Sequence, residues 1–131
     1  MQAKRHTFPR THRLSGKLAF TAVFDGGLRE ARNPLLVFAR PNDRAHPRLG
    51  LSVPRRVGTA PKRNAIKRRL REAFRFLQHD LPRGYDLIIV VRPHDVLLLA
   101  DYQRLLSGLL TKLHRKWEQK LAADQDAPRT T

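Results

Sequence analysis

Eight cationic side chains, Arg55, Arg56, Lys62, Arg63, Lys67, Arg68, Arg69 and Arg71, fall between Pro54 and Arg71, and no acid interrupts them before Glu72. A solvated helix face ordinarily interleaves Glu with Lys and gains a few tenths of a kcal/mol per i,i+4 pair, whereas like charges this crowded repel each other on a free helix. Phosphates lying along the ridge relieve that repulsion. Arg outnumbers Lys in the block, and its planar fork grips phosphate at two points and stacks on bases, which suits RNA. A second acid-free stretch runs from Met1 to Phe24 and holds five Lys or Arg.

The residue types that make and break bonds are placed differently. A nuclease acting alone needs clustered carboxylates for two metals, or paired histidines as base and acid. Here the 11 acids are scattered singly, and the six histidines, His6, His12, His46, His79, His94 and His114, show no metal-ligand spacing. Asp43 and His46 stand three apart in a turn rich in Pro, Asn and Arg, which is expected to be a solvated loop. The stretch Gly58-Thr59-Ala60-Pro61-Lys62 is one glycine short of a phosphate loop and lacks the hydroxyl residue after its Lys. No Cys is present, so disulfides, thiolate zinc and Cys nucleophiles are excluded. The expectation is a polypeptide with no catalytic site, no bound cofactor and no metal of its own.

The 131 residues suffice for one ordinary domain with its own core. A formal charge of +16, from 27 Lys and Arg against 11 acids, asks for a polyanionic partner. No apolar run approaches the roughly 20 residues that cross a bilayer, and the basic, polar start has no signal-peptide core, so a soluble cytoplasmic protein is expected.

The elements that must carry the basic block follow from periodicity. Ser15, then Ala19, Phe20, Val23 and Phe24, then Gly26-Gly27, predict a short helix with Ser15 as its cap and a glycine stop. Leu35 to Arg40 alternates, with Leu35, Val37 and Ala39 on one face and Leu36, Phe38 and Arg40 on the other; Arg48 to Val53 sets Leu49, Leu51 and Val53 against Arg48, Gly50 and Ser52. These two strands are expected to pair as a hairpin, its mixed face offering Phe38 as a platform where a base stacks for about 1–3 kcal/mol.

From Pro61, Ile66, Leu70, Ala73, Phe74 and Leu77 share one helical stripe, with Asn64, Arg68, Arg71 and Arg75 opposite, Arg63 and Lys67 nearer the apolar edge, and Pro82 at the end. Leu87 to Val91 is apolar without a break and predicts a central strand covered on both faces. Asp101 is expected to cap a long helix whose apolar face holds Tyr102, Leu105, Leu106, Leu109, Leu110, Leu113 and Trp117. Together they make an α+β fold, sandwich-like, with helices packed on one mixed sheet of about four strands.

The run from Arg48 through Val57-Gly58 to Lys62-Arg63-Asn64-Ala65-Ile66-Lys67-Arg68 and Arg71 resembles the protein subunit of bacterial ribonuclease P. Arg13-Leu14, Phe20, Phe24, Leu36 to Phe38 and Tyr85-Asp86-Leu87-Ile88 extend the resemblance over roughly Arg13 to Trp117. It implies an accessory subunit of a ribozyme that removes the 5′ leader of precursor tRNA, with magnesium needed by the RNA. Its partners are then ribonuclease P RNA and precursor tRNA, with one protein monomer per RNA and no membrane. Carried onto this sequence, the RNA-facing residues are Arg55, Arg56, Lys62, Arg63, Asn64, Lys67, Arg68 and Arg71, and the leader cleft is lined by Phe20, Leu36, Phe38 and Ser52.

Phe38 stands where the family often has Tyr, and Pro54 where some relatives have a hydroxyl residue. The resemblance also implies a left-handed crossover through the basic helix, against the right-handed default for parallel strands. The chain is expected to divide into a basic arm over 1–12, disordered without RNA, a domain over 13–123 and a tail over 124–131 that has nothing to bury and is disordered. A ribosomal RNA-binding protein is the alternative with the same charge logic.

Overall fold

The computed structural model describes residues 12–81 and 83–126. Its organising element is the strand apolar on both faces. In chain order the elements are α1 (Lys17–Gly26), β1 (Leu28–Arg32), β2 (Leu35–Pro41), β3 (Arg48–Ser52), α2 (Ala60–Leu77), β4 (Tyr85–Val91) and α3 (Leu99–Asp126). The sheet order is β1-β2-β4-β3, so β4 lies inside, antiparallel to β2 and parallel to β3. This fits the unbroken run from Leu87 to Val91, because only an inner strand covered by helices on both sides buries such a sequence.

That placement overturns the expected hairpin of β2 with β3. The turn between them instead carries the chain across the start of β4. Asn42 N–H donates to the Gly84 carbonyl at 3.2 Å, and a Cβ on Gly84 would lie 2.3 Å from the Arg44 carbonyl oxygen. The fourth strand, β1, is a finding: its sequence LREAR is too charged to read as a strand, yet it pairs antiparallel with β2 at the sheet edge, where polar residues are tolerated.

One sheet face presents Leu35, Val37, Ala39, Leu49, Leu87, Ile89 and Val91 to α2 and α3. From α2 come Ile66, Leu70, Ala73 and Phe74, and from α3 Tyr102, Leu106, Leu109, Leu110, Leu113 and Trp117, all buried as their spacing predicts. Trp117 Nε1 donates to the Ala39 carbonyl at 2.7 Å, satisfying its one polar atom inside the core. The opposite face is covered by α1 and the segment before it: Leu14 and Val23 pack with Ile88, and Ala19, Phe20, Phe38 and Val90 lie around them.

Helix boundaries correct several expectations. Ser15 does not cap α1; the cap position is Gly16, at φ +94°, where the chain turns in a conformation that glycine tolerates. The glycine stop holds, with Gly27 N–H closing on the Val23 carbonyl at 2.8 Å. Thr59 caps α2 by accepting from Lys62 N–H, with Pro61 in the first turn. The helix ends at Leu77 in a 3-10 turn, Gln78–Asp80, and Pro82 lies outside the described residues.

Asp101 is not the cap of α3, which begins two residues earlier at Leu99, so Asp101 sits in the first turn, where a carboxylate suits the helix dipole. That helix continues to Asp126, past the expected start of a tail at Asp124; residues 127–131, and 1–11 of the expected arm, lie outside the described residues. No helix among the described residues is long and apolar enough to cross a membrane.

Candidate RNA-binding surface

The register lines up three rows across the face that α1 covers. Arg29, Phe38, Ile88 and Gly50 form the middle row; Ala31, Leu36, Val90 and Ser52 form the row toward one end, and Arg40, Asp86 and Arg48 the row toward the other. α1 sits on the middle row. Its Val23 packs on Ile88, its Phe24 meets Phe38 edge to face with centroids 4.9 Å apart, and Phe20 closes over Gly50. A Cβ at position 50 would lie 2.5 Å from Phe20 Cζ, so the ring reaches the sheet only because that residue is glycine.

The row Ala31–Leu36–Val90–Ser52 remains uncovered. Leu36, Val90 and Ser52 are half-buried, so an apolar strip with one hydroxyl runs beside the aromatic rim of α1. At its outer end a shallow hollow of about 360 Å³ is lined by Arg29, Glu30, Ala31, Leu36 and Arg92, with Glu30 held by Lys116 at 3.1 Å.

On the β3 side, a groove of about 230 Å³ lies between α1 and α2, walled by Leu14, Phe20, Leu49, Gly50 and Leu51 and edged by Arg13, Lys67 and Arg71. No acid lines it. Burial, and after it the charge of Arg13, hold the Arg71 guanidinium below the ordinary arginine value. Arg13 is carried there by the backbone: it bridges in parallel to Leu49, and Leu14 N–H donates to the Leu49 carbonyl at 2.9 Å.

The basic residues of α2 fall into three lines. Arg63, Lys67 and Arg71, four apart, form the flank toward this groove, with Arg63 Nε donating to the Gly58 carbonyl at 3.2 Å. Asn64 and Arg68 form the exposed crest. Lys62 and Arg69 form the far flank against the β4–α3 loop: Lys62 meets Asp95 at 3.7 Å, and Arg69 donates to the Leu97 carbonyl, a structural bond. Arg55 and Arg56 are exposed on the 3-10 turn ahead of the helix.

Comparison with known proteins decides between the two RNA-binding readings of this surface. The family model for ribonuclease P matches residues 8–117. A ribonuclease P protein component of Photobacterium profundum is 40% identical over 109 residues, covering 82% of this chain and 92% of the relative. The chain belongs to the ribonuclease P protein family. Among solved structures, a variant of the Staphylococcus aureus RNase P protein matches with a TM-score of 0.71 at 27% identity, covering 78% of this chain and 87% of that one. The RNase P protein of Thermotoga maritima matches with a TM-score of 0.67 at 30% identity, covering 76% and 96%. The chain thus has the α+β fold of that family.

Of the four residues expected in one leader cleft, three fall on two adjacent rows of the sheet and Phe20 lies over them on α1. Phe38 lies in the middle row under Phe24, with Phe20 as the roof over Gly50, whereas Leu36 and Ser52 belong to the uncovered row. Arg71, expected opposite the core, lies half-buried on the groove flank beside Lys67. Sequence reasoning missed Arg13 as part of the groove, and it missed Val90, Arg29 and Arg92 along the strip. Arg13 carries no periodic signal, and Arg29 belongs to the strand that charge concealed.

A buttress below the middle row holds the β3 and β4 starts together. Arg48 donates to both Asp86 oxygens, at 2.8 and 2.6 Å, and Asn42 Nδ2 donates to the first at 2.9 Å. Burial pushes the Asp86 carboxyl up, but these hydrogen bonds and the Arg48 charge outweigh it and hold Asp86 below the usual carboxylate range.

Proposed function

We propose that this protein grips the catalytic RNA of ribonuclease P through the crest and N-terminal turn of α2, and steers the 5′ leader of precursor tRNA along the uncovered strip beside α1. Arg55, Arg56, Lys62, Arg63, Asn64 and Arg68 take RNA phosphates. Lys67, Arg71 and Arg13 hold the strand entering the groove. Phe20, Phe38, Leu36 and Ser52 line its path, which suits a single strand: bases stack on aromatic rims while the backbone follows cations. The observation that carries this reading is an acid-free cationic groove under Phe20 at β3, beside an uncovered strip that ends in the same strand at Ser52.

On this reading the RNA performs the hydrolysis and holds the magnesium, and the polypeptide positions. One feature supports that division. Several carboxylates are committed to bases: Asp86 to Arg48, Glu30 to Lys116, Glu72 to Arg75 and Glu118 to Arg83. The protein acts in the cytoplasm as a monomer, one per RNA.

The test is multiple-turnover cleavage of a precursor tRNA at low magnesium by a bacterial ribonuclease P RNA, with and without the protein, beside a protein-only control. Stimulation that requires the RNA is expected. Cleavage by the protein alone, or tight RNA binding with no stimulation, would overturn the reading.

A further inference from the structure

The edge strand β1 carries cations on both faces of the sheet. Arg29 lies on the face that α1 covers, in register with Phe38. Arg32 lies on the α3 face, where its Nη1 stands 4.0 Å from the place a Cβ on Gly108 would take. Between them Glu30 is turned to Lys116 of α3 at 3.1 Å, and the same Nζ donates to the Arg29 carbonyl at 3.3 Å. Charges on an edge strand keep other strands from pairing there, and either sign serves that purpose. Here the sign is one, because Lys116 neutralises the strand's single acid.

Helix α3 continues that charge. Arg104, Gly108, Lys112, Lys116 and Lys120 follow at intervals of four, which on a helix makes a ridge that rises about 6 Å per step and about 24 Å in all. Gly108 is the step with no cation of its own, and it is the step that Arg32 reaches. Like charges at i,i+4 oppose helix formation, so this ladder asks for anions from outside the chain. Few come from within it. Arg104 has Asp101 at 3.6 Å, Lys116 has Glu30, and Glu118 pairs instead with Arg83, at 3.1 Å; the ladder ends where its next step is Asp124. Among the described residues Arg29, Arg32, Arg92, Lys112 and Lys120 are exposed and form no ion pair.

The hollow at the outer end of the strip joins the two faces. Arg29, Glu30 and Arg92 line it with Leu36, so a backbone leaving the strip past Leu36 meets Arg29, rounds the edge strand and reaches Lys116. A duplex is too stiff to turn round one β-strand, whereas a single strand can. We propose that the α3 ridge, with Arg29, Arg32 and Arg92 at the β1 edge, holds phosphates of the distal 5′ leader after it leaves the strip beside α1. This rests on the leader path proposed above and adds to it a site on the other sheet face. Phosphates carry no sequence, so the ridge senses leader length and not base identity, and it favours precursors with long leaders.

The experiment measures binding of single-stranded leader oligonucleotides of about 5 and about 15 nucleotides, within the ordinary range of single-strand sites, to the full chain across a salt series. The longer one is expected to bind about tenfold tighter, with a slope of log affinity against log salt steeper by about 1.4, two phosphates' worth. In the combined variant Arg32→Gln, Lys112→Gln, Lys120→Gln that gain is expected to vanish while the short oligonucleotide binds as before. In the native chain, the amide NMR signals of Gly108 and Lys112 are expected to move with the long oligonucleotide and stay in place with the short one, a readout that needs no variant to fold. A long oligonucleotide that binds no tighter, a gain that survives the variant, or a loss in the variant that falls on ribonuclease P RNA instead overturns the proposal. Phe38→Ala that leaves the short oligonucleotide unaffected overturns the leader path itself, so the two failures are told apart.

Discussion

Gly50→Ala puts the packing of α1 on the sheet to a direct test. The added Cβ would stand 2.5, 2.9 and 3.3 Å from three ring carbons of Phe20, where carbon atoms are comfortable at about 3.5–4 Å. The ring must therefore retreat by about 1 Å. It cannot do so alone, because Val23 and Phe24 tie the same helix to Ile88 and Phe38. Overpacking of this kind costs about 1–3 kcal/mol, which for a chain of this size lowers the melting temperature by roughly 3–10 °C. Leader binding is expected to fall with it, since Phe20 is the groove's roof, while leaderless RNA held by the α2 crest binds as before.

Gly50 is not among the residues of positive φ, so its backbone accepts alanine. In a Phe20→Ala background the same substitution is then expected to be neutral or stabilising by a few tenths of a kcal/mol, through reduced freedom of the unfolded chain. The assay is a double-mutant cycle by thermal or urea unfolding, paired with binding of a leader oligonucleotide. An equal cost of Gly50→Ala in both backgrounds would refute the packing of Phe20 on Gly50, and with it the placement of α1 over the middle row.

Arg68→Ala removes a crest cation, so the slope of log affinity against log salt for ribonuclease P RNA is expected to flatten by about 0.7–0.9, one phosphate's worth. Phe38→Ala should leave that slope unchanged and weaken leader binding by about 1–3 kcal/mol; equal effects of both on leader-free RNA would end the division between crest and strip. Asp86 has a folded-state pKa below its unfolded value, so its stabilisation is complete above about pH 4 and disappears as pH falls through the depressed folded value. Asp86→Asn is expected to lower stability near neutral pH by about 1–3 kcal/mol and to flatten its acid limb in urea unfolding; an unchanged limb would show that the Arg48 pairing does not drive that titration.

How much of this was legible in the sequence depended on whether one segment sufficed to state it. The α2 stripe, the α3 apolar face and the central place of β4 are each written in a single run, because helical period and two-sided burial are local demands on residue type. The basic block was legible for the same reason, as its charges are neighbours in sequence. What escaped needed two segments at once. The strand β1 is held by pairing to β2 and by its edge position, neither of which its five residues announce. The false hairpin followed from joining consecutive strands, when the deciding fact was that Leu87 to Val91, forty residues on, needs cover on both faces more than Leu49 or Leu51 do. The same limit divided the site. Spacing on α2 alone put Arg71 opposite the core, but the groove flank it occupies exists only because Phe20 of α1 lies over Gly50 and Arg13 bridges to Leu49.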